Sequence, residues 1–365
     1  MNIRKIVITG GPCAGKSTAL TWIQNAFTKR GYTVLFVPET ATELITGGVA
    51  PWTCGSNFDF QKGQVYLQRE KEKVFEMTAK TMPKENILIV CDRGITDNSA
   101  YMTKKEYEEI LQWLGLNEVE VRDGYDAVFH LVTAADGAVQ FYTTDNNEAR
   151  YETPEQAVAL DRKLLRAWTG HPHLRVIDNS TDFNEKLKRL IMEISAFLGE
   201  PEPREIERKF LISYPDMNWL ESQEDCRMVE ITQTYLNSLE GEELRVRERG
   251  ENGHYMYYLT AKRPAGPMER IEVEERLTRN QYMDLLMEAD PTRHTIYKKR
   301  YCLMHRKQYF EIDIYPVWKN AAIMEIELTD PNEEIHFPEQ IRILREVTDD
   351  PAFKNAALAK QMPEI

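Results

Sequence analysis

Two textures of hydrophobic and polar positions divide the chain. In the first half, short apolar runs alternate with amphipathic stretches: KIVITG, TVLFVPE, NILIVCDRG, AVFHLV and LRVID. Runs of this length, bounded by Gly, Pro and Asp, predict buried parallel strands with helices between them. That alternation predicts a doubly wound α/β domain built on a parallel sheet. A helical pattern from Glu185 to Leu198 closes this half. GEPEPRE (199 to 205) then breaks it with one Gly and two Pro among charges. A boundary is expected there, with one domain over 1–199 and a second over 203–365.

Beyond the boundary the pattern changes to strict alternation, in EIERKFLI, TQTYLN, LRVRERG, YYLTAKR, RIEVEERL, YFEIDIY and MEIEL. Helical patterns interrupt only at 278 to 289 and near 352 to 361. Residues two apart share a strand face. One set of faces then carries Glu205, Glu207 and Lys209; Gln233 and Tyr235; Arg245 and Arg247; Thr260 and Lys262; Glu272 and Glu274; Lys298 and Arg300; Glu311 and Asp313; Glu325 and Glu327. The opposite faces carry Ile206, Phe210, Val246, Leu259, Ile312, Ile326 and similar residues. A solvated face would mix signs and include more Ser, Thr and Gln. Here acids and bases come as doublets, which repel unless an opposite strand or a ligand answers them. A closed or nearly closed antiparallel barrel, charges inward and apolar faces outward beneath helices, supplies that geometry.

Enclosing eight carboxylates and six cations in a dry interior would cost several kcal/mol per ion, against a total stability of about 5–15 kcal/mol. The interior is therefore expected to be wet, cross-paired and built to receive ions. Carboxylates suit a hard divalent cation such as Mg²⁺ or Mn²⁺, and Lys and Arg rows suit phosphoryl oxygens. Both poles together match metal-assisted attack of water on a polyphosphate chain.

Composition narrows the setting. A hydrophobic fraction of 42% in 365 residues supports two folded cores. No apolar run approaches the roughly 20 residues of a membrane span, so neither an anchor nor a signal peptide is expected. The five cysteines form no CxxC pair, which argues against disulfides or zinc and points to the cytoplasm. With 46 basic and 59 acidic residues the net charge is −13, a poor match for long nucleic acid.

The first half carries GxxxxGKS as Gly10, Gly15, Lys16 and Ser17, with Thr18 beside it, between an apolar strand and a helix. Such a loop wraps a phosphate chain in backbone N–H groups, with the lysine on the β/γ-phosphates and the hydroxyl on Mg²⁺. ATP with its cation is the expected ligand. Glu39 and Asp92, with Arg93 next to it, stand at two further strand ends, where ligands of an open α/β sheet collect. Asp92 is placed to hold Mg²⁺ through water, and Glu39 to take a proton from an acceptor hydroxyl. This half resembles the P-loop nucleoside, nucleotide and nicotinamide riboside kinases, and among them the ATPase/kinase-like domains fused to other enzymes. The resemblance implies an arginine-bearing lid, DNNEARYETPEQAVALDRKLLRAW, offering Arg150, Arg162 and Arg166. GHPH, with His171 and His173, reads as a turn rather than a metal pair.

ExExK at Glu205, Glu207 and Lys209, followed by LRVR, LTAK, IEVEE, EIDIY, MEIEL and EVTDD, resembles the CYTH or triphosphate tunnel metalloenzyme family over about 203 to 362. The resemblance implies an eight-stranded antiparallel tunnel that hydrolyses a triphosphate. Glu205, Glu207 and Lys209 would be catalytic. Glu205, Glu207, Glu325 and Glu327 would bind metal, and Lys209, Arg245, Arg247, Lys262, Lys298 and Arg300 would bind phosphates. Glu272, Glu274, Glu311 and Asp313 would hold a second metal or fix the basic rows. Inorganic triphosphate is the leading substrate. The alternatives are a nucleoside or small-molecule kinase with the tunnel as a polyphosphate or nucleotide sensor, an adenylate cyclase, and processing of RNA 5′-triphosphates.

Overall fold

A computed structural model describes residues 2–142, 153–200, 206–238, 242–264, 270–328 and 333–365; the side chains of 141, 206, 263–264 and 270–273 lie outside the description. Glu205 and Arg150 lie outside the described residues. The chain divides into two compact units, Met1–Glu205 and Ile206–Ile365.

The first unit runs β1 (Asn2–Thr9), α1 (Lys16–Lys29), β2 (Thr33–Val37), α2 (Thr40–Thr46), α3 (Asn57–Ala79), β3 (Asn86–Asp92), α4 (Lys104–Trp113), α5 (Glu118–Arg122), β4 (Ala127–Leu131), α6 (Pro154–Trp168), β5 (Leu174–Ile177) and α7 (Phe183–Leu198). Its five strands form a sheet in the order β2-β3-β1-β4-β5, every pairing parallel. Alternation along β1 sorts its two faces. Ile6 and Ile8 pack with Ala19, Ile23 and Phe27 of α1 and Leu187, Leu190 and Ile194 of α7. On the other face Lys5 reaches Glu72 of α3 at 3.4 Å. Helix starts follow local chemistry: Thr153 and Gln156 form a capping box with Pro154 in the first turn of α6, and Asp182 caps α7.

The second unit runs β6 (Ile206–Ser213), α8 (Met217–Ser222), β7 (Cys226–Tyr235), β8 (Glu243–Glu251), β9 (His254–Pro264), β10 (Arg270–Leu277), α9 (Arg279–Leu285), β11 (Ile296–His305), β12 (Gln308–Ile314), β13 (Ala321–Leu328), β14 (Ile343–Glu346) and α10 (Asn355–Leu358). The strands form one antiparallel sheet in the order β10-β9-β8-β7-β11-β12-β13-β6-β14. Eight match the expected staves. The ninth, β14, is four residues long and adds to the far edge of β6. Arg208, which interrupts the apolar face of β6, clasps Glu346 of β14 through two hydrogen bonds of 2.9 and 2.6 Å.

The outer face carries the predicted apolar rows: Phe210, Ile312 and Ile326 pack with Leu220 of α8, and Val246 with Tyr282 of α9. The inner face departs from the expectation in two places. Val229, Ile231 and Cys302 share the charged parity yet form a small apolar cluster of their own. Leu211, Tyr235, Ile296, Tyr315 and Ile323 lie on the charged faces, yet gather with Phe353 and Leu358 of the C-terminal segment into an apolar cluster. Charges therefore do not run the whole length of that face. The helical pattern near 352 to 361 contributes this cap, as α10 and the turn before it.

Candidate functional site

The phosphate loop follows β1, whose neighbours β3 and β4 flank it. Gly10 and Gly15 have φ of 139° and 91°. A Cβ on Gly10 would sit 2.0 Å from the Leu131 carbonyl oxygen, and one on Gly15 2.5 Å from the Phe183 ring, so both positions require glycine. The Lys16 ammonium donates to the Gly10 and Gly11 carbonyls at 2.9 and 3.2 Å, while Ser17 and Thr18 are exposed at the start of α1.

Glu39 and the Asp92–Arg93 pair converge on this loop. The Arg93 Nε donates to Glu39 at 2.5 Å and the Thr42 hydroxyl to its other oxygen at 2.7 Å. Burial alone would raise the Glu39 carboxyl, but Arg93 and then Lys16 outweigh it and lower it to about 2. An ionised carboxylate held that low is a weak proton acceptor, which counts against the expected role of Glu39 as a base. Its ionic contribution to stability is present above the unfolded range near pH 4.5 and fades as pH falls through about 2. Replacing Arg93 by methionine should move the Glu39 carboxyl upward, toward or beyond the ordinary range, because burial would then dominate; a carboxyl ¹³C titration of Glu39 reads this directly, and an unmoved midpoint would contradict it.

Asp92 behaves oppositely. Burial raises its carboxyl, with Lys16 pulling it down and Glu39 pushing it up, and its buried Oδ1 has no protein partner. An orphaned carboxylate oxygen beside a phosphate loop fits a hydrated divalent cation. Arg162 and Arg166 are exposed on α6, whereas Asp161 is the residue that α6 presents to the loop. His171 accepts the His173 N–H at 3.0 Å inside the expected turn.

Sequence reading missed two buried acids here. Asp161 accepts from Gly11 N at 2.6 Å and Thr133 N at 3.3 Å. Asp97 accepts from the Thr9 hydroxyl and the Trp168 indole, both at 2.7 Å, and from Gly94 N at 3.0 Å. Period and motif carry no signal for either, since their partners lie up to 150 positions away.

In the second unit, strand register brings the predicted doublets to one face, because directly paired residues share a side of the sheet. Glu325 stands opposite Lys209, Glu327 opposite Glu207, Glu311 opposite Glu325 and Arg300 opposite Asp313. The ion pairs follow. Lys209 reaches Glu325 at 2.7 Å and Glu207 at 3.7 Å. Arg300 donates to both oxygens of Asp313 at 2.7 Å, to Glu325 at 2.9 Å, and to Glu311. Lys298 donates to Asp313 at 2.5 Å. Asp313 is fully buried and bonded to both bases, so of its two expected roles the geometry matches fixing the basic row. Further along, Arg247 pairs with Glu274 at 2.5 Å and lies 5.4 Å over the Tyr258 ring. Arg245 pairs in register with Thr260, and Lys262 stands between Glu243 and Glu272. Arg249 and Arg276 share this face by the same registers; both were overlooked because they lie beyond the doublets.

Charge balance differs sharply among the acids. Burial would raise Glu325, yet Lys209, Arg300 and Lys298 hold it well below the carboxylate range. Glu207 is pushed up to about 7, first by desolvation and then by the charge of Glu325. Water still reaches 43% of the Glu207 side chain, so the neighbouring groups crowd the carboxyl without enclosing it. Among the described residues no three His, Cys, Asp or Glu side chains already converge as a metal cage. The donor chemistry nonetheless fits a hard cation: Glu207 faces Glu327 across the register, and a carboxylate destabilised by a like charge is relieved by a positive ion.

Comparison with known proteins finds two family matches. Residues 5–186 match the AAA domain family and residues 203–348 the CYTH domain family. Among solved structures, the inorganic triphosphatase NE1496 is 28% identical and covers 44% of this chain and 97% of its own, with a TM-score of 0.32. PH1819 from Pyrococcus horikoshii is 22% identical over 33% of this chain and 76% of its own, TM-score 0.26. A putative adenylyl cyclase from Hippeastrum, described as having a dominant triphosphatase activity, is 13% identical over 34% of this chain and 81% of its own, TM-score 0.26. No curated protein matches. No described helix is long and apolar enough to cross a membrane.

Proposed function

We propose that this chain, an AAA P-loop domain followed by a CYTH domain, hydrolyses the phosphoanhydride of a small triphosphate in its CYTH half and binds ATP at its phosphate loop. The observation that carries the reading is the cross-paired inner face, where Lys209, Lys298 and Arg300 are held by Glu325, Asp313 and Glu311 rather than solvated. Burying so many charges on one face is costly as a stability device, since desolvation offsets most of the attraction. It is suited to receiving a polyanion and its counter-ions. Lys209, Arg245, Arg247, Lys262, Lys298 and Arg300 would bind the phosphoryl oxygens. Asp313 holds the Lys298 and Arg300 head groups in place before substrate arrives, which removes their reorganisation from the reaction.

Glu205, Glu207 and Glu327 would hold Mg²⁺ or Mn²⁺, with Glu325 at the edge of that set because two bases already claim it. When bound, the cation would neutralise phosphate charge and lower the pKa of a coordinated water. The chain's own part is to orient: Lys209 sits between Glu207 and Glu325, bridging the acidic end of the face to the basic one. Inorganic triphosphate leads as substrate because the paired ions of the inner face answer phosphates and a cation. In the first half, Lys16, Ser17 and the backbone of the loop would bind ATP, with Asp92 oriented toward its cation.

The test is phosphate release from inorganic triphosphate, thiamine triphosphate, ATP and a short 5′-triphosphorylated RNA, each with Mg²⁺ or Mn²⁺, assaying pyrophosphate and cyclic AMP in parallel. Release from inorganic triphosphate, lost on addition of chelator, is expected. A folded protein that releases phosphate from none of them would overturn the reading, and cyclic AMP with pyrophosphate would replace it by a cyclase.

A further inference from the structure

We infer that Asp161 and Lys186 are positioning residues of the phosphate loop, an acid from α6 and a base from α7 that set the direction of two of its peptide groups. The inference rests on the reading of that loop as an ATP site. A phosphate loop binds through backbone N–H groups, so its affinity depends on which way each peptide faces. Asp161 Oδ1 accepts the Gly11 N–H at 2.6 Å and also receives Thr133 N and lies 3.1 Å from His130 Nε2. The Lys186 ammonium donates to the Ala14 carbonyl at 3.3 Å, the Val132 carbonyl at 2.7 Å and Asn179 Oδ1 at 2.7 Å. Asn179 in turn donates to the Thr133 and Asp136 carbonyls. Both charged groups are almost fully buried, and these bonds go chiefly to main chain.

The consequence follows from the trans peptide, which sends C=O and the next N–H in opposite directions. With the Gly11 N–H drawn to Asp161, the Gly10 carbonyl faces the other way, and the Lys16 ammonium rests on it at 2.9 Å. With the Ala14 carbonyl drawn to Lys186, an oxygen that would repel phosphate is turned aside and the Gly15 N–H faces away from Lys186. One clamp thereby places the loop lysine and the other a loop donor. Gly11 leaves no slack in the arrangement: a Cβ there would lie 2.8 Å from Asp161 Oδ1.

Titrating ATP with Mg²⁺ into the full chain by calorimetry tests this, with melting temperature recorded for each variant. Asp161→Ala and Lys186→Met should each weaken binding by about tenfold or more, the effect of misdirecting one hydrogen-bonding group. Asp161→Asn keeps an acceptor for the Gly11 N–H and should stay within about threefold of the wild type, a rescue that a role in bulk packing alone would not predict for Ala and Asn so differently. Should Asp161→Ala not fold, Gly11→Ala displaces the same carboxylate and should reproduce the loss. Folded variants that bind ATP like the wild type would overturn the clamp alone. A wild-type chain that binds no ATP would overturn both the clamp and the ATP reading of the loop.

Discussion

Lys209→Ala is expected to lower kcat/KM for inorganic triphosphate by at least about a hundredfold, the typical loss on removing one preorganised electrostatic group. Lys209 pairs with Glu325 and, more loosely, with Glu207. Removing it does two things. The phosphate loses a cation that β6 places next to the proposed metal ligands, and Glu207, already pushed up to about 7, loses its largest opposing charge. Stability should also fall, because deleting one partner of a buried pair costs about 3–5 kcal/mol when the other is left uncompensated; Arg300 still answers Glu325, so the lower part of that range is expected. Phosphate-release kinetics and thermal melting separate the two effects. Lys209→Met serves as the control for shape, and should remain nearly as inactive as alanine while melting closer to the wild type. Activity within about tenfold of wild type in either variant would remove Lys209 from the reaction.

Lys16→Ala carries the second large effect. ATP binding at the loop should weaken by about a hundredfold or more, while triphosphate hydrolysis stays within about twofold of wild type. Removing a charge-assisted hydrogen bond from a phosphate site typically costs about 1.5–3 kcal/mol, and more where the ligand is highly charged. The lysine opens α1 directly behind Gly15 and is itself nearly buried, so its ammonium has little freedom to be replaced by water. ATP calorimetry and the phosphate assay on the same preparation read the two sites apart. A parallel loss of both activities would show that hydrolysis takes place at the loop instead.

Much of this was legible in the chain because both sites follow short periods. The phosphate loop is a fixed spacing of Gly10, Gly15, Lys16 and Ser17, and the inner face is a period of two that the strand registers preserve. The AAA and CYTH matches support the corresponding resemblances. What escaped was set by tertiary packing. Asp161 and Lys186 look like ordinary polar positions on amphipathic helices, and only the packing of α6 and α7 against the loop turns them inward. Leu211, Tyr315 and Ile323 continue the charged parity, so period alone made them part of the charged face, although the C-terminal segment covers them. Arg208 interrupts the alternation of β6; its partner Glu346 stands on a strand too short to be recognised by pattern. The lid arginines come from the family resemblance; Arg162 and Arg166 are exposed on α6, and the same helix turns Asp161 to the loop.

The central claim is that hydrolysis belongs to the CYTH half. Phosphate release from inorganic triphosphate with Mg²⁺, compared between Lys16→Ala and the double variant Lys16→Ala with Lys209→Ala, tests it most directly. The account predicts wild-type release from the first and almost none from the second while both remain folded; equal release from the two would contradict it.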